Sequence, residues 1–350
     1  MYDRPVVSQP DPTIAPKGTL PMSRLRSLMR GKGRNLGLVL ALVVVLLVLA
    51  IFRPQYFRIN NFIVVALQMA FIGTAALGMA NLIISGNVDL SIGGIFALSA
   101  VVSANLALVA PPIVALLAGI LVGGIIGLIN GALVWRVRLS PIIITLGTMT
   151  ILRGLVLLVT GGYAVRGVPE AFSQFGQARP LDVPMPVWVL LILAVLANLI
   201  LHNTTIGRHI FAIGGNREAS EAAGIRVRRL VLGAFVVNGL IVGLAAVLAA
   251  SRYGTASPSF GVGYEFDVIT AVILGGVRFN GGEGDILGVM LAVALLGVLN
   301  SGLVALGVNP YYTEIVKGAA LIFAVSLDQL AQERQSRVRT LLAMRDRARQ

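Results

Sequence analysis

The sequence contains no cysteine and only two histidines, and these absences exclude several kinds of chemistry. Without cysteine there is no disulfide framework, no thiolate metal site and no cysteine nucleophile. His202 and His209 stand seven residues apart, which is not a spacing typical of metal ligands. We therefore expect no metal site, no cofactor and no catalytic residue in this chain.

Charged residues are also scarce. They make up only 12% of the chain, whereas 57% is hydrophobic, and the mean hydropathy is +0.88. A soluble domain carries about a quarter charged residues, so the composition predicts an all-α polytopic membrane protein that contacts the lipid bilayer directly. The 350 residues accommodate about ten transmembrane helices of about 20 residues each.

Apolar runs, separated by polar residues, glycine and proline, place these ten spans along the chain. The predicted spans cover residues 36–52, 62–84, 88–110, 112–135, 141–160, 187–202, 231–251, 266–280, 285–306 and 311–327. The segment 266–280 is short for a crossing, so it is either a full span or a re-entrant segment.

Polar, basic tails flank the predicted transmembrane domain, residues 36–327. Residues 1–35 are predicted to be a disordered tail that ends in a basic segment at the membrane surface, and residues 328–350 a second basic tail. With the N-terminus inside, 21 of the 28 Lys and Arg residues fall on the cytoplasmic side. Because basic residues concentrate in cytoplasmic loops, both termini are predicted to be cytoplasmic, and nucleic acid is not an expected partner.

Two short sequences 170 residues apart are similar, GLINGALV at 127–134 and GVLNSGLV at 297–304. A weaker similarity links residues 141–145 to residues 310–313. Under the ten-span count these lie in spans that run in opposite directions, which predicts two inverted-repeat halves, an arrangement used by many transporters. Chance similarity between segments rich in Gly, Leu and Val is the alternative.

Polar residues interrupt the apolar runs at membrane depth. GNVDLSIGG at 86–94 predicts a broken helix, or a helix start capped by Asp89 or Ser91, and GYEFD at 263–267 occupies the matching place in the second half. Such side chains should face the bundle interior or a wet cavity, although interhelical hydrogen bonding is the alternative for the asparagines. The predicted pathway side chains are Asn81, Asp89, Asn130, Asp267 and Asn300.

The glycine-rich segment 275–285 is not a phosphate-binding loop. Neither GxxxxGK[ST] nor GxGxxG occurs in it, and the only Gly-Lys pair of the chain, Gly31-Lys32, is followed by Gly33. The chain therefore carries no recognisable ATP site of its own.

The longest polar interruption between two spans, residues 203–230, is predicted to be a cytoplasmic loop. Asn216 is a predicted N-cap, Glu218 suits the positive end of a helix, and Gly224 is a predicted C-terminal cap. These signals predict a two-turn helix with a face of small residues, which fits a helix-in-groove contact. It comprises Asn216, Arg217, Glu218, Ala219, Ser220, Glu221, Ala222, Ala223 and Gly224.

Four motifs, in this order, resemble the permease subunits of bacterial ABC importers for monosaccharides, such as the ribose, xylose, arabinose, rhamnose and autoinducer-2 systems. They are GNVDLSIGG (86–94), GLINGALV followed by SPIIITLGTMTILRG (140–154), TTIGRHIFAIGGNREASEAAGI (204–225) and GYEFDVITAVILGGVRFNGGEGDILG (263–288). The resemblance covers roughly residues 60–328. The usual first motif has Gly-Gly-Ile-Asp where this chain has Gly86-Asn87-Val88-Asp89.

The resemblance implies a type II ABC-importer-like fold in the bacterial inner membrane and a translocation pathway for a monosaccharide or similar small polyol. It also implies three partners: a separate ABC ATPase, a periplasmic sugar-binding protein, and a second permease copy in a homodimer or paired homologue. Residues 216–224 are similar to the helix that couples such permeases to the ATPase, so this chain would hydrolyse nothing.

Two other functions compete with this interpretation. An ion-coupled secondary transporter would also show inverted repeats, but it would need no ATPase and would place ion-coupling carboxylates at mid-membrane. A membrane-embedded enzyme is disfavoured because the sequence contains no nucleophile–base pair or metal-binding pattern.

Overall fold

The computed structural model describes residues 22–137 and 139–309, together with the isolated positions 312, 315, 318, 319, 322 and 326. Regular structure in this part of the chain is helical, and its one β-type contact is an isolated bridge between Val165 and Ala256. The helices are α1 (Met22–Phe52), α2 (Ile59–Ile84), α3 (Ile92–Ala107), α4 (Pro112–Val137), α5 (Pro141–Thr160), α6 (Glu170–Gln177), α7 (Met185–Asn203), α8 (Thr205–Gly215), α9 (Arg217–Ala222), α10 (Val227–Tyr253), α11 (Tyr264–Leu274) and α12 (Ile286–Ala305).

Seven helices of the described residues are long and apolar enough to cross a membrane, namely α1, α2, α4, α5, α7, α10 and α12. A bilayer core about 30 Å thick requires about 20 such residues, so the prediction of an all-α multi-pass membrane protein is confirmed. The predicted tenth span, residues 311–327, lies outside the described residues except at isolated positions, and the tail 328–350 lies outside them entirely.

Two predicted spans are shorter than the sequence indicated. Helix α3 has 16 residues, not the 23 of the predicted span 88–110, because the polar turn before it delays its start to Ile92. Helix α11 has 11 residues and ends at Leu274, and at 1.5 Å per residue it is about 16 Å long. The prediction of a helical span over 266–280 is therefore wrong, because Gly276, at φ 86°, ends the helix.

The first helix begins earlier than predicted. The sequence indicated irregular structure up to residue 35, but α1 starts at Met22, directly after Pro21. The residues between Met22 and residue 35 contain no proline and include Leu, Met, Lys and Arg, all good helix formers. The basic segment is therefore a helical extension of the first span, and residues 1–21 lie outside the described part.

The two halves of the transmembrane bundle correspond helix by helix. Helices α2, α3 and α4 of the first half match α10, α11 and α12 of the second. In the first half, α3 and α4 both pack on α10. In the equivalent arrangement of the second half, α11 and α12 both pack on α2. The rings of Phe71 and Tyr253 are 5.9 Å apart, and Gly78, which is later on α2 than Phe71, approaches Asn238, which is earlier on α10 than Tyr253. Helices α2 and α10 therefore run antiparallel, as inverted repeats require.

Helices α4 and α10 form the closest helix pair of the bundle. Gly119, Gly123 and Gly127 on α4 face Gly243, Gly239 and Phe235 on α10 in reverse order, and a Cβ added at Gly123 would overlap the carbonyl oxygen of Gly239. Small residues four apart allow such close approach between membrane helices. This contact brings the polar side chains of α4 and α10 next to the turn after α2.

The bundle has two ends, which are named here by the short helices they carry. At the α9 end, the C-terminus of α8 lies against the C-terminus of α2 and the loop 275–285. At the α6 end, α6 packs on the C-terminus of α10, and residue Val165 bonds to Ala256 in the turn after α10. The turn after α2 and the turn after α10 therefore lie at opposite ends.

Candidate functional site

The polar segment 203–230 folds into two helices, of which the sequence predicted one. The unpredicted helix, α8, has 11 residues and buries Gly207, Ile210 and Ile213. Its apolar residues recur at intervals of three, which is the helical signal that the overall polarity of the segment obscured. Helix α8 therefore joins the membrane domain directly to α9.

Helix α9 agrees with the predicted capping signals. The side chain of Asn216 accepts a hydrogen bond from the amide of Ala219 at 2.9 Å, and Gly224 has φ 79°, the left-handed conformation of a C-terminal cap. The helix itself is shorter than the predicted two turns, since it covers Arg217–Ala222. Residues 216–224 are exposed except for Ser220.

One side chain ties α9 to the membrane domain. The guanidinium of Arg217 lies 4.9 Å from the ring centroid of Trp135, at the C-terminal end of α4, and its Nε lies 3.5 Å from Glu221. The exposed surface of α9 carries the charged residues Arg217, Glu218 and Glu221 beside the small residues Ala219 and Ala222. A role in coupling to an ATPase remains a prediction.

The turn between α2 and α3 contains a fully buried carboxylate, that of Asp89. Its Oδ1 accepts from Ser91 Oγ at 2.5 Å, from Ser91 N at 2.9 Å and from Asn130 Nδ2 at 3.4 Å. Its Oδ2 accepts from Asn238 Nδ2 at 3.1 Å, and Thr148 donates to Asn130 Oδ1 at 2.8 Å. A buried carboxylate is stable only with such partners, and this network connects the turn to α4, α5 and α10.

Backbone and side-chain contacts both hold the turn after α10, residues 254–263. At its start, Val165 and Ala256 exchange two backbone hydrogen bonds, at 2.8 and 3.1 Å, and Thr255 Oγ1 donates to the carbonyl oxygen of Val165 at 2.7 Å. Arg153 on α5 donates from Nη1 to the carbonyl oxygen of Phe260 at 2.8 Å, and from Nη2 to that of Gly261. At the start of α11, Glu265 is buried and its Oε2 makes no hydrogen bond. This turn is therefore attached to α5 through one side chain, next to a carboxylate that is only partly satisfied.

A cavity of about 280 Å³ lies beside the turn after α10, where the two halves meet. Five aromatic rings line it, those of Phe71, Phe96, Tyr253, Phe260 and Tyr264, and its polar lining residues are Gln68, Asp267 and Asn300. The Tyr264 hydroxyl donates to the carbonyl oxygen of Phe71 at 2.6 Å, so this group stabilises the wall. A mostly aromatic wall with a few polar groups suits a small polar ligand with apolar faces.

The structure separates the predicted pathway side chains into three groups. Asp267 and Asn300 line the cavity. Asp89 and Asn130 lie in the buried network with no exposed surface, so Asn130 makes the interhelical hydrogen bonds that were the alternative to a pathway role. Asn81 is half-buried on α2.

Sequence reasoning missed Gln68 and the aromatic rings of the cavity. Except for Phe260, which lies in the turn after α10, these residues lie on helices that are apolar on all sides, and in such helices periodicity does not identify the inward face. The only available signal was the short spacing of Tyr253, Phe260 and Tyr264 around the second turn.

Comparisons with known proteins match this chain to permease components of transport systems. Residues 61–325 match the family described as branched-chain amino acid transport system, permease component. The chain is 37% identical to the ribose import permease protein of Escherichia coli strain K12. The alignment of 299 residues covers 84% of this chain and 93% of that relative. It is 37% identical to the D-allose transport system permease protein of the same strain, over 84% of this chain and 91% of the relative. The L-arabinose ABC transporter permease protein of Azospirillum brasilense is 34% identical, over 91% of this chain and 93% of the relative.

Proposed function

Because this chain belongs to the family of branched-chain amino acid transport system permease components, we propose that it forms the membrane pathway of an ABC importer for a monosaccharide or similar small polyol. Its relatives are named as permeases for ribose, D-allose and L-arabinose. The observation that carries the proposal is the aromatic cavity at the meeting of the two halves.

The lining of the cavity suits a sugar for two physical reasons. The C–H faces of a pyranose or furanose are apolar and pack against aromatic rings, which contribute large contact areas. The hydroxyls need hydrogen-bond partners once they leave water, and Gln68, Asp267 and Asn300 provide both donors and acceptors. The volume of about 280 Å³ lies near the lower end of ligand pockets, as a small substrate requires.

Energy for transport comes from a separate ATPase subunit in this proposal. Residues 216–224 at the α9 end, exposed except for Ser220, are the proposed contact surface for that subunit, and the excess of Lys and Arg in the same loops supports a cytoplasmic position for this end. The α6 end, with the cavity, then faces the periplasm and receives the sugar from a binding protein. A second permease copy completes the membrane part in the bacterial inner membrane.

Transport by purified components tests this function. The chain would be reconstituted in proteoliposomes with an ABC ATPase and a periplasmic sugar-binding protein from the same organism, and uptake of labelled D-ribose, D-allose and L-arabinose would be measured. We expect uptake of at least one sugar that requires ATP, the ATPase and the binding protein together. Uptake driven by a proton gradient without the ATPase would instead identify a secondary transporter and contradict the proposal.

A further inference from the structure

Three backbone segments meet at the α9 end with almost no side chain between them. They are the C-terminus of α8, the C-terminus of α2 and the loop 275–285. We propose that Gly214, near the end of α8, is the positioning residue that joins the coupling segment rigidly to the turn between α2 and α3. This inference rests on the proposed function, since it concerns how force from an ATPase enters the membrane domain.

The contact at Gly214 has no space for a side chain. A Cβ added there would overlap the carbonyl oxygen of Ile84 and crowd the amide of Gly282. That amide donates to the same carbonyl oxygen at 2.9 Å. A Cβ added at Gly281 would lie 3.0 Å from the Cα of Gly214 and 2.9 Å from the amide nitrogen of Gly86. Backbone packed on backbone is poorly compressible, so a displacement of α8 moves all three segments together.

The contact of Gly214 with Ile84 and Gly282, which we call the joint, leads directly to the buried network of the first half. Ile84 is the last residue of α2, and Asp89 follows it five residues later. Through Asn130 and Asn238, the Asp89 carboxylate is bonded to α4 and α10. A push on α9 therefore passes through α8 and the backbone contacts of the joint, and then through buried side-chain hydrogen bonds, to the two central helices.

The loop 275–285 connects the joint to the first helix as well. Asn35 on α1 donates to Asp285 Oδ2 at 2.8 Å, and Asp285 caps α12 by accepting from the amide of Leu287 at 3.2 Å. By contrast, the attachment of α9 through Arg217 and Trp135 is made by two side chains, of which the first is exposed and the second half-buried. The joint is therefore the stiffer of the two connections between α9 and the bundle.

Adjacent glycines provide a matched pair for the test. Gly214→Ala would force Ile84 and Gly282 away from α8, whereas a Cβ added at Gly215 meets nothing within 4 Å. In proteoliposomes with the ATPase and binding protein, we expect Gly214→Ala to lower the number of D-ribose, D-allose or L-arabinose molecules imported per ATP hydrolysed by about tenfold. ATP hydrolysis itself should continue, and Gly215→Ala should keep the wild-type ratio. A wild-type ratio in Gly214→Ala would overturn the inference.

A second experiment does not depend on whether Gly214→Ala folds. The chain contains no cysteine, so Ala212→Cys on α8 and Glu283→Cys in the loop are the only thiols of a double variant and can be joined by a short bifunctional thiol reagent. If the joint moves as one body, the cross-linked transporter keeps its sugar-per-ATP ratio. Loss of transport on cross-linking, with recovery when a cleavable reagent is cut, would show that the segments slide and would refute the joint.

The two experiments also separate this inference from the proposed function. If the unmodified transporter shows no ATP-dependent uptake of any of the three sugars, the proposed function has failed. If it couples normally and the Gly214 and cross-linking results go against expectation, only the joint has failed.

Discussion

The turn after α2 and the turn after α10 occupy equivalent places in the two halves, but they are held in different ways. In the first turn, Asp89 accepts four hydrogen bonds from Ser91, Asn130 and Asn238, and it is completely buried. In the second turn, one arginine holds two backbone carbonyls, and the nearby Glu265 keeps an oxygen without a hydrogen bond.

This difference indicates that the two halves share a backbone arrangement but have different roles in transport. A buried carboxylate that accepts four hydrogen bonds is costly to disturb, which suits a part that transmits force, and Asn238 Oδ1 is the atom of this network without a hydrogen-bond partner. The part of the second turn that lines the cavity, Phe260 and Gly261, is bonded to α5 through Arg153, and a segment bonded through one side chain is cheaper to open, which suits the entrance to a pathway. The predictions below test this contrast, beginning with the largest expected effect.

The first prediction removes the centre of the satisfied turn. Asp89→Leu leaves the amide and hydroxyl of Ser91 and the Nδ2 of Asn238 buried without their acceptor, whereas Asn130 still donates to Ser91 Oγ at 2.8 Å, and each unsatisfied group costs about 1–3 kcal/mol. We expect the free energy of unfolding to fall by about 3 kcal/mol or more, measured by thermal unfolding in detergent.

The matched control for Asp89 is Asn105→Leu on α3. Asn105 donates only to Val101 on its own helix, at 3.1 Å, so its loss should cost less than about 1 kcal/mol. Equal destabilisation by the two variants would show that the Asp89 network does not hold the first turn.

The second prediction releases the other turn. Arg153→Met removes both hydrogen bonds to the carbonyls of Phe260 and Gly261. Because Arg153 is only partly buried, we expect a local loss of about 1.4 kcal/mol, equivalent to about tenfold more frequent opening. Labelling of Ala256→Cys, which is buried in the same turn, by a membrane-impermeant thiol reagent should accelerate by that factor.

Arg179→Met is the control for this measurement, because Arg179 is exposed at the same end and lies outside the turn. In a protein that also carries Arg179→Met, the cysteine in the turn should be labelled at the same rate as in the protein with that cysteine alone. If Arg153→Met labels no faster than Arg179→Met, then Arg153 does not hold the turn closed.

The third prediction concerns the cavity wall. Phe260→Ala removes a lining ring, and an aromatic contact contributes about 0.5–1.5 kcal/mol beyond its buried area. We expect sugar uptake to fall by about fivefold, whereas Phe266→Ala, whose ring is 54% exposed on the outer surface of the bundle, should leave uptake unchanged. Equal loss in both variants would mean that the cavity is not the pathway.

The smallest effect is expected at the exposed attachment of α9. Trp135→Leu removes the cation–π contact with Arg217, which contributes about 0.5–1 kcal/mol at such a position. The sugar-per-ATP ratio should fall by no more than about fivefold, less than the loss expected for Gly214→Ala. A larger loss than in Gly214→Ala would move the main connection from the joint to Trp135.

Much of this architecture was predictable from the sequence because long apolar runs have few alternatives to membrane helices. The caps at Asn216 and Gly224, the broken helix around Asp89 and the similarity of residues 127–134 to 297–304 each carry a local signal. Helix α11 was overestimated because Val277 and Phe279 extend the apolar run past Gly275 and Gly276, where the helix ends.

The contacts between distant segments carried no comparable signal. The approach of Gly214 to Ile84, and the bonds from Arg153 to Phe260 and Gly261, join residues more than 100 positions apart. Their geometry depends on how helices pack, and neither composition nor periodicity specifies it. Aromatic lining residues were missed for the same reason.

The contrast between the two turns is tested most directly by two distances measured in one transporter. Spin labels at Ala212→Cys and Glu283→Cys would report on the joint, and labels at Tyr163→Cys and Val262→Cys would report on the second turn, each pair with the ATPase and binding protein, before and after ATP binding. We expect the distance across the joint to stay unchanged and the distance across the second turn to change. A distance that changes across the joint while the second turn stays fixed would contradict the contrast between the two turns.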